Sequence, residues 1–263
     1  MTATNTLSCK DLHLEIANKV LCQNLSLQIE PGQTWAVLGL NGAGKTTLLH
    51  TLAGLRPPDA GQIYINEIDL GTLSRHDIAK QIGLLLQTQQ DPFPGKVIEH
   101  VLIGRHPYLK ALEWESESDY QIAIDALNTV GLTGFEDRDL QSLSGGEYQR
   151  MLIAMVLVQQ PSIYLLDEPI NHLDWQHQHQ ILSTLVSLID TSRVEQTTSS
   201  VVMALHDVNL AARYCSHVLM MFDDGQVKSG PTADMLTTES LEDLYHTPIV
   251  QISSEQGQMF MPS

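Results

Sequence analysis

Cysteine is scarce in this chain of 263 residues: Cys9, Cys22 and Cys215 are scattered, with no Cys-x-x-Cys pair. That argues against a disulfide framework and a thiolate zinc site, and it suits a reducing compartment. Long hydrophobic runs are missing too. Residues 151–158 form one of the longest, and they fall far short of the ~20 apolar residues a helix needs to cross a bilayer. The opening Met1-Thr2-Ala3-Thr4-Asn5-Thr6 has neither the basic start nor the apolar stretch of a secretory signal. A soluble, cytoplasmic chain is therefore expected. Basic residues are few: 14 Lys and Arg stand against 31 Asp and Glu, for a formal charge of −17. Such a field repels phosphate backbones and anionic membrane surfaces, so nucleic acid is not expected as the main partner. A nucleotide can still bind where backbone N–H groups, a lysine and a metal ion overcome that field locally.

The length suits one α/β domain carrying a helical insert. Leu25, Leu27 and Ile29 alternate as a strand that Pro31-Gly32 ends, and residues 34–38 read as a second, apolar one. Ile63 and Ile65 mark a short strand, and residues 82–86 are too hydrophobic to lie exposed. From about residue 97 to 160 the pattern is helical, with Ala123, Ala126, Leu127 and Val130 on one face. Strand signals return at 163–166, 201–205 and 218–222, separated by helical stretches, as in a parallel sheet wound with helices. Met220 and Met221 read as core filling. Residues 113–117 and 191–200 read as polar surface loops. The expected division is a core with a β subdomain at about 1–96 and 161–230, a helical subdomain at about 97–160, and a C-terminal extension at 231–263. In that extension Leu241, Leu244 and Tyr245 predict a small helix packed on the sheet.

Gly39-Leu40-Asn41-Gly42-Ala43-Gly44-Lys45-Thr46 fits G-x-x-x-x-G-K-[ST] between a hydrophobic strand and a helical run. Its glycines let the backbone fold round phosphate with N–H groups inward. Lys45 should reach the β- and γ-phosphates, and the Thr46 hydroxyl should hold Mg²⁺. The expected nucleotide contacts are Gly39, Asn41, Gly42, Ala43, Gly44, Lys45, Thr46 and Thr47. Further on, a buried strand leads into Asp167-Glu168-Pro169. Asp167 would orient the Mg²⁺ shell, and Glu168 would activate the water that attacks the γ-phosphate. Acidic residues opening a surface turn are the bland alternative.

Leu143-Ser144-Gly145-Gly146-Glu147, followed by Tyr148-Gln149-Arg150, resembles the signature motif of the ABC ATPase family and lies between the two phosphate motifs, as in that family. The resemblance implies an α/β P-loop NTPase fold of ABC ATPase type: a RecA-like core with an antiparallel β subdomain and a helical subdomain. It implies ATP and Mg²⁺ as ligands, and a homodimer in which Ser144, Gly145 and Gly146 face the nucleotide on the other subunit. Gln87 resembles the Q-loop glutamine that senses metal and water, Asn171-His172-Leu173-Asp174 the D-loop, and His206 the switch histidine. The implied catalytic set is Glu168, His206, Gln87 and Lys45, with Thr46, Gln87 and Asp167 at the metal.

Two departures stand out. The stretch Leu14-Glu15-Ile16-Ala17-Asn18 lacks the adenine-stacking aromatic that family members usually place there, leaving Ile16 as its substitute. Leu40 and Ile170 replace the more common proline and threonine. Asp91-Pro92-Phe93-Pro94 and Ile103-Gly104-Arg105-His106-Pro107-Tyr108 resemble the importer branch for cobalamin, ferric siderophores and haem, with the first stretch favouring cobalamin. That resemblance implies a polytopic permease docking near Gln87 to Tyr108, a substrate-binding protein acting indirectly, and a peripheral position on the cytoplasmic face of the cell membrane. A soluble ABC ATPase of DNA repair, translation or iron–sulfur assembly is the alternative, and a nucleotide switch that never hydrolyses is a third. His177 and His179, two apart on a helix, point in different directions and are not expected to share a metal.

Overall fold

A computed structural model describes residues 5–87, 94–110, 112–192, 199–254 and 257–263, with the backbone alone at 189–192 and 254. Asp91-Pro92-Phe93, and residues 193–198 of the expected polar loop, lie outside the described residues. In chain order the first elements are β1 (Leu7–Ile16), β2 (Lys19–Ile29), β3 (Thr34–Leu38), α1 (Lys45–Leu52), β4 (Ala60–Ile65) and β5 (Ile68–Asp69). Next come α2 (Arg75–Gln81), β6 (Ile82–Leu85), α3 (Val97–Leu102), α4 (Glu117–Thr129) and α5 (Gly145–Val158). The chain continues through β7 (Ile163–Asp167), α6 (Trp175–Ser192), β8 (Ser200–Ala204), α7 (Val208–Tyr214), β9 (His217–Met221) and β10 (Val227–Pro231). It ends in α8 (Thr232–Met235), α9 (Thr238–Tyr245), β11 (Ile249–Ser254) and β12 (Gly257–Pro262).

Strands with one wet face and strands buried on both faces sort into different sheets. The antiparallel sheet β2-β1-β4-β5 buries Leu7, Cys9, Leu12 and Leu14 against Leu25, Leu27 and Ile29, while Lys10 and Gln28 face water. Sequence periodicity misses β1, because its alternation slips at Lys10-Asp11. There the register with β2 shifts and Asp11 takes a left-handed φ of 49°. The second sheet, β10-β9-β3-β8-β7-β6, is parallel apart from the edge pair β10–β9. Every residue of β3, β7 and β8 is buried, as apolar strands covered on both faces must be.

The alternation of β3 divides the core. Trp35 and Val37 meet Leu48, Leu49 and Leu52 of α1 and the antiparallel sheet, whereas Ala36 and Leu38 meet the helices of residues 97–158. Met220 and Met221 fill opposite faces of β9. In α4 the expected face is buried, with Ala123, Leu127 and the adjoining Val130 at zero exposure. Arg105, from the 3₁₀ turn Ile103–Tyr108, pins α4 to α5: Nε donates to Asp119 Oδ1 at 2.7 Å and Nη1 to the Val158 carbonyl at 3.0 Å. Two expectations need correction. Helix α6 runs through Ser192, and Ser200 is the buried first residue of β8, so neither belongs to a surface loop. Residues 231–263 hold more than one small helix: Leu241 and Leu244 of α9 bury as expected, and the hairpin β11–β12 follows and buries Phe260. No helix among the described residues is long and apolar enough to cross a membrane.

Candidate nucleotide site

Leu38 ends β3 in the middle of the parallel sheet, flanked by β8 and β9, so the loop after it opens at the carboxyl edge where ligands collect. Glycine is required there by contact. A Cβ on Gly39 would lie 2.6 Å from the Met221 carbonyl oxygen, and one on Gly44, at φ 105°, 2.9 Å from Leu21 Cβ. Gly44 caps α1 with no side chain, so the N–H groups of its first turn face outward uncapped, a ready-made anion cradle. Lys45 lies beneath, 6% exposed, with Nζ donating to the carbonyls of Gly39 at 2.8 Å and Leu40 at 3.2 Å. Burial holds the Lys45 ammonium below its usual pKa, opposed by the charges of Glu168 and Asp167.

Those two carboxylates leave the sheet at the end of β7, beside Ala204 of β8. Asp167 is 1% exposed and neither carboxylate oxygen has a hydrogen-bond partner. Burial pushes its pKa up; the nearby Thr46 hydroxyl opposes this without a well-formed hydrogen bond, and the Glu168 charge adds to it. A buried carboxylate with two orphaned oxygens beside a hydroxyl is a donor set suited to Mg²⁺, which takes oxygen ligands.

Glu168 adopts φ 50°, which turns its side chain out of the strand line. Three donors from three segments then hold the carboxylate. His206 Nε2 lies 2.7 Å from Oε1, Gln87 Nε2 donates to Oε2 at 3.0 Å, and Asn171 Nδ2 donates to the same Oε2. Gln87 stands just after β6, and His206 just after β8, where Asp207 caps α7. Together these groups and the glycine loop enclose a cavity of about 770 Å³. Asn41, Gly42, Gly44, Lys45, Thr46 and Thr47 line one side and Gln87, Glu168, Asn171 and His206 the other. Ile16, 47% exposed, and Leu21 give it an apolar edge where the aromatic is missing. Gly39, Ala43 and Asp167 lie behind this lining.

Ser144, Gly145 and Gly146 do not reach that cavity. They open α5 in a capping box: Glu147 N donates to Ser144 Oγ at 3.3 Å, and Ser144 N to Glu147 Oε2 at 2.8 Å. The Ser144 backbone N–H, followed by its side chain, holds Glu147 below the usual carboxylate range. Sequence reasoning missed Asn171 as a partner of Glu168. The signal was the three-residue spacing, which closes as a turn with Asn171 N donating to Glu168 O at 3.2 Å. His177 bonds Asp174 at 2.8 Å and His179 bonds Tyr214 at 2.8 Å, so the two rings serve different partners.

A family model described as "ABC transporter" matches residues 22–171, more than half of the chain. The petrobactin import ATP-binding protein FpuD of Bacillus anthracis is 36% identical over 95% of this chain and 89% of its own length. The ferric enterobactin transport ATP-binding protein FepC of Escherichia coli (strain K12) is 34% identical over 90% and 85%. Among solved structures, a transporter described as of metal-chelate ABC type, in an inward-facing conformation, superposes with a TM-score of 0.82 at 31% identity, covering 98% of this chain and 97% of its own. The dimeric bacterial ABC transporter cassette MJ0796 superposes with a TM-score of 0.72 at 25% identity, covering 86% and 98%. This chain belongs to the ABC transporter family, as an ATP-binding subunit whose ATP hydrolysis is coupled to transport.

Proposed function

We propose that this subunit powers the import of a metal chelate, hydrolysing ATP at Glu168 within a dimer in which each nucleotide also meets the Ser144 helix start of the other copy. The observation that carries the reading is the three-donor grip on Glu168 across one cavity from Lys45 and the open start of α1. The loop N–H groups and Lys45 bind the β- and γ-phosphates. Glu168, aimed by Gln87, Asn171 and His206, takes a proton from water as its oxygen attacks the γ-phosphorus and the bond to the β–γ bridging oxygen breaks. The ABC ATPase resemblance would also give His206 a contact to the γ-phosphate, for which its Nε2 would turn from Glu168 to a phosphate oxygen. Asp167 and the Thr46 hydroxyl, with Gln87 beyond them, would hold Mg²⁺, which when bound neutralises charge on the phosphate oxygens.

A Ser144 helix start outside the lining of the cavity supports a dimer, and the cassette MJ0796 is itself dimeric. A permease docking face at residues 87–108, of which 87 and 94–108 are described, is supported by the exposed Ile103 and Tyr108 and, at its edge, by Leu86, which is exposed just past β6 contrary to the expectation for residues 82–86. Gln159 ties that face to the sheet, accepting from Tyr108 Oη at 2.9 Å through its carbonyl and donating to Ile82 O at 2.8 Å through its amide. A permease partner places the subunit at the cytoplasmic face of the membrane, with a substrate-binding protein acting from the far side. The metal-chelate reading draws on the names of the relatives, one for petrobactin import and one for ferric enterobactin transport. Cobalamin, a cobalt chelate, belongs to the same chemical class, and of the Asp91-Pro92-Phe93-Pro94 stretch that favours it only Pro94 lies within the described residues.

Purification of the tagged protein from detergent-solubilised membranes tests this reading. A polytopic permease at one-to-one stoichiometry, with chelate uptake lost on Glu168→Gln, is the expected result. A soluble assembly with no membrane protein would overturn the transport assignment and leave the ATP chemistry standing.

A further inference from the structure

Helix α5 starts at the half-site for the other copy's nucleotide, yet two turns of it rest on the loop that carries this chain's own catalytic carboxylate. At Gly146 a Cβ would lie 3.3 Å from the His172 carbonyl oxygen and 3.6 Å from Leu173 Cδ2, so helix and loop touch backbone to backbone. One turn on, Gln149, 8% exposed, donates from Nε2 to the Pro169 carbonyl at 3.1 Å and towards the Glu168 carbonyl at 3.5 Å. Ile170 and Leu173 are buried under the same loop, so it has few ways to move independently of α5. The loop in turn presents Asn171, whose amide holds Glu168 Oε2.

We propose that Gln149 is a positioning residue for hydrolysis, tying the start of α5 to the Glu168–Asn171 turn so that the Glu168 carboxylate is set by the helix that meets the second nucleotide. This rests on the function proposed above and deepens it: each copy's grip on its neighbour's ATP is read out at its own carboxylate. Gln149 touches no substrate and acts through the turn, with Asn171 as the last link. A donor within a buried helix face is needed because the Pro169 carbonyl, just past the end of β7, would otherwise lose this partner, whereas the Glu168 carbonyl also accepts from Asn171 N.

The test is steady-state ATP hydrolysis by the assembled transporter carrying Gln149→Leu, Asn171→Leu or both, with affinity for a fluorescent ATP analogue measured separately. Gln149→Leu keeps the size of the side chain and removes the donor. It should lower kcat roughly tenfold, since small misplacements of a reacting group cost that much or more, while KM and nucleotide affinity stay within about twofold. The double variant should be no slower than Asn171→Leu alone, because both changes act on one carboxylate. Unchanged kcat in a folded Gln149→Leu protein, a rise in KM at constant kcat, or losses that multiply in the double variant would overturn the proposal. Should Gln149→Leu fail to fold, Gln149→Met, which keeps an unbranched chain, takes its place under the same criteria. Glu168→Gln run alongside separates the two failures: if it retains turnover, the role of Glu168 is wrong, and if it alone abolishes turnover, only the Gln149 link is wrong.

Discussion

Two helix starts in this chain open on glycine-bearing segments, and they differ in what fills them. Helix α1 begins at a left-handed glycine with no side-chain cap and with a buried lysine beneath. Helix α5 begins at Ser144, whose backbone N–H and hydroxyl are both engaged by Glu147. The first presents its N–H groups toward a cavity; the second has closed a box on itself and takes no part in the lining of that cavity. A phosphate should therefore settle at α1 in the isolated subunit. The α5 start should contribute only when a second copy brings a nucleotide to it, through the N–H groups that the box leaves free.

Substitutions can break this contrast at either end. Glu168→Gln should lower phosphate release by a factor on the order of 10²–10⁴ while leaving ATP affinity intact, read by comparing turnover with equilibrium binding. Lys45→Ala should instead weaken binding, by roughly ten- to a hundredfold in a calorimetric titration, since a charged donor to phosphate is lost. In the helical segment, Asp119→Ala should cost about 3 kcal/mol in denaturant unfolding, because Arg105, 9% exposed, loses its carboxylate partner.

Asp119 also predicts a pH dependence. The Ser116 hydroxyl and N–H, and then Arg105, hold its pKa below the usual carboxylate value. A depressed folded pKa means stability that is full above about pH 4 and is lost as pH falls through the folded value. Asp119→Ala should flatten that part of the acid limb of a stability–pH curve. Ser144→Ala should cost about 1 kcal/mol of stability through the lost cap and leave ATP affinity of the isolated subunit unchanged, the converse of Lys45→Ala. The smallest effect is expected at the apolar edge of the cavity. Ile16→Tyr should tighten ATP binding by about 1 kcal/mol if adenine lies there, and titration with triphosphate alone should show no such gain.

What could be read in the sequence follows from how local each feature is. The glycine loop from Gly39 to Thr46 is contiguous, and its shape is dictated by backbone contacts at Gly39 and Gly44, so residue types alone announce it. The buried strand before Asp167 is legible for a similar reason, since five apolar or strand-ending residues in a row fit only a covered sheet. Strand β1 was hidden by a one-residue bulge, and the hairpin β11–β12 by strands whose outer residues Val250, Ile252, Met259 and Met261 are as apolar as buried Phe260. The amide of Asn171 on Glu168 follows from a three-residue turn that the sequence marks only by spacing, and that of Gln149 on Pro169 depends on how this turn packs against a helix 20 residues away, which no periodicity encodes. Ile16 stood out only as a missing ring, and the fold is what sets it at the cavity edge.

The contrast between the two helix starts is tested most directly by the mass of the Glu168→Gln protein in solution with saturating Mg²⁺ and ATP, measured by light scattering. A stable dimer that reverts to monomer when Ser144 and Gly145 are replaced by bulky residues is expected, with ATP still bound at α1. A protein that stays monomeric with ATP fully bound, or a dimer indifferent to changes at Ser144 and Gly145, would contradict a site shared between two copies.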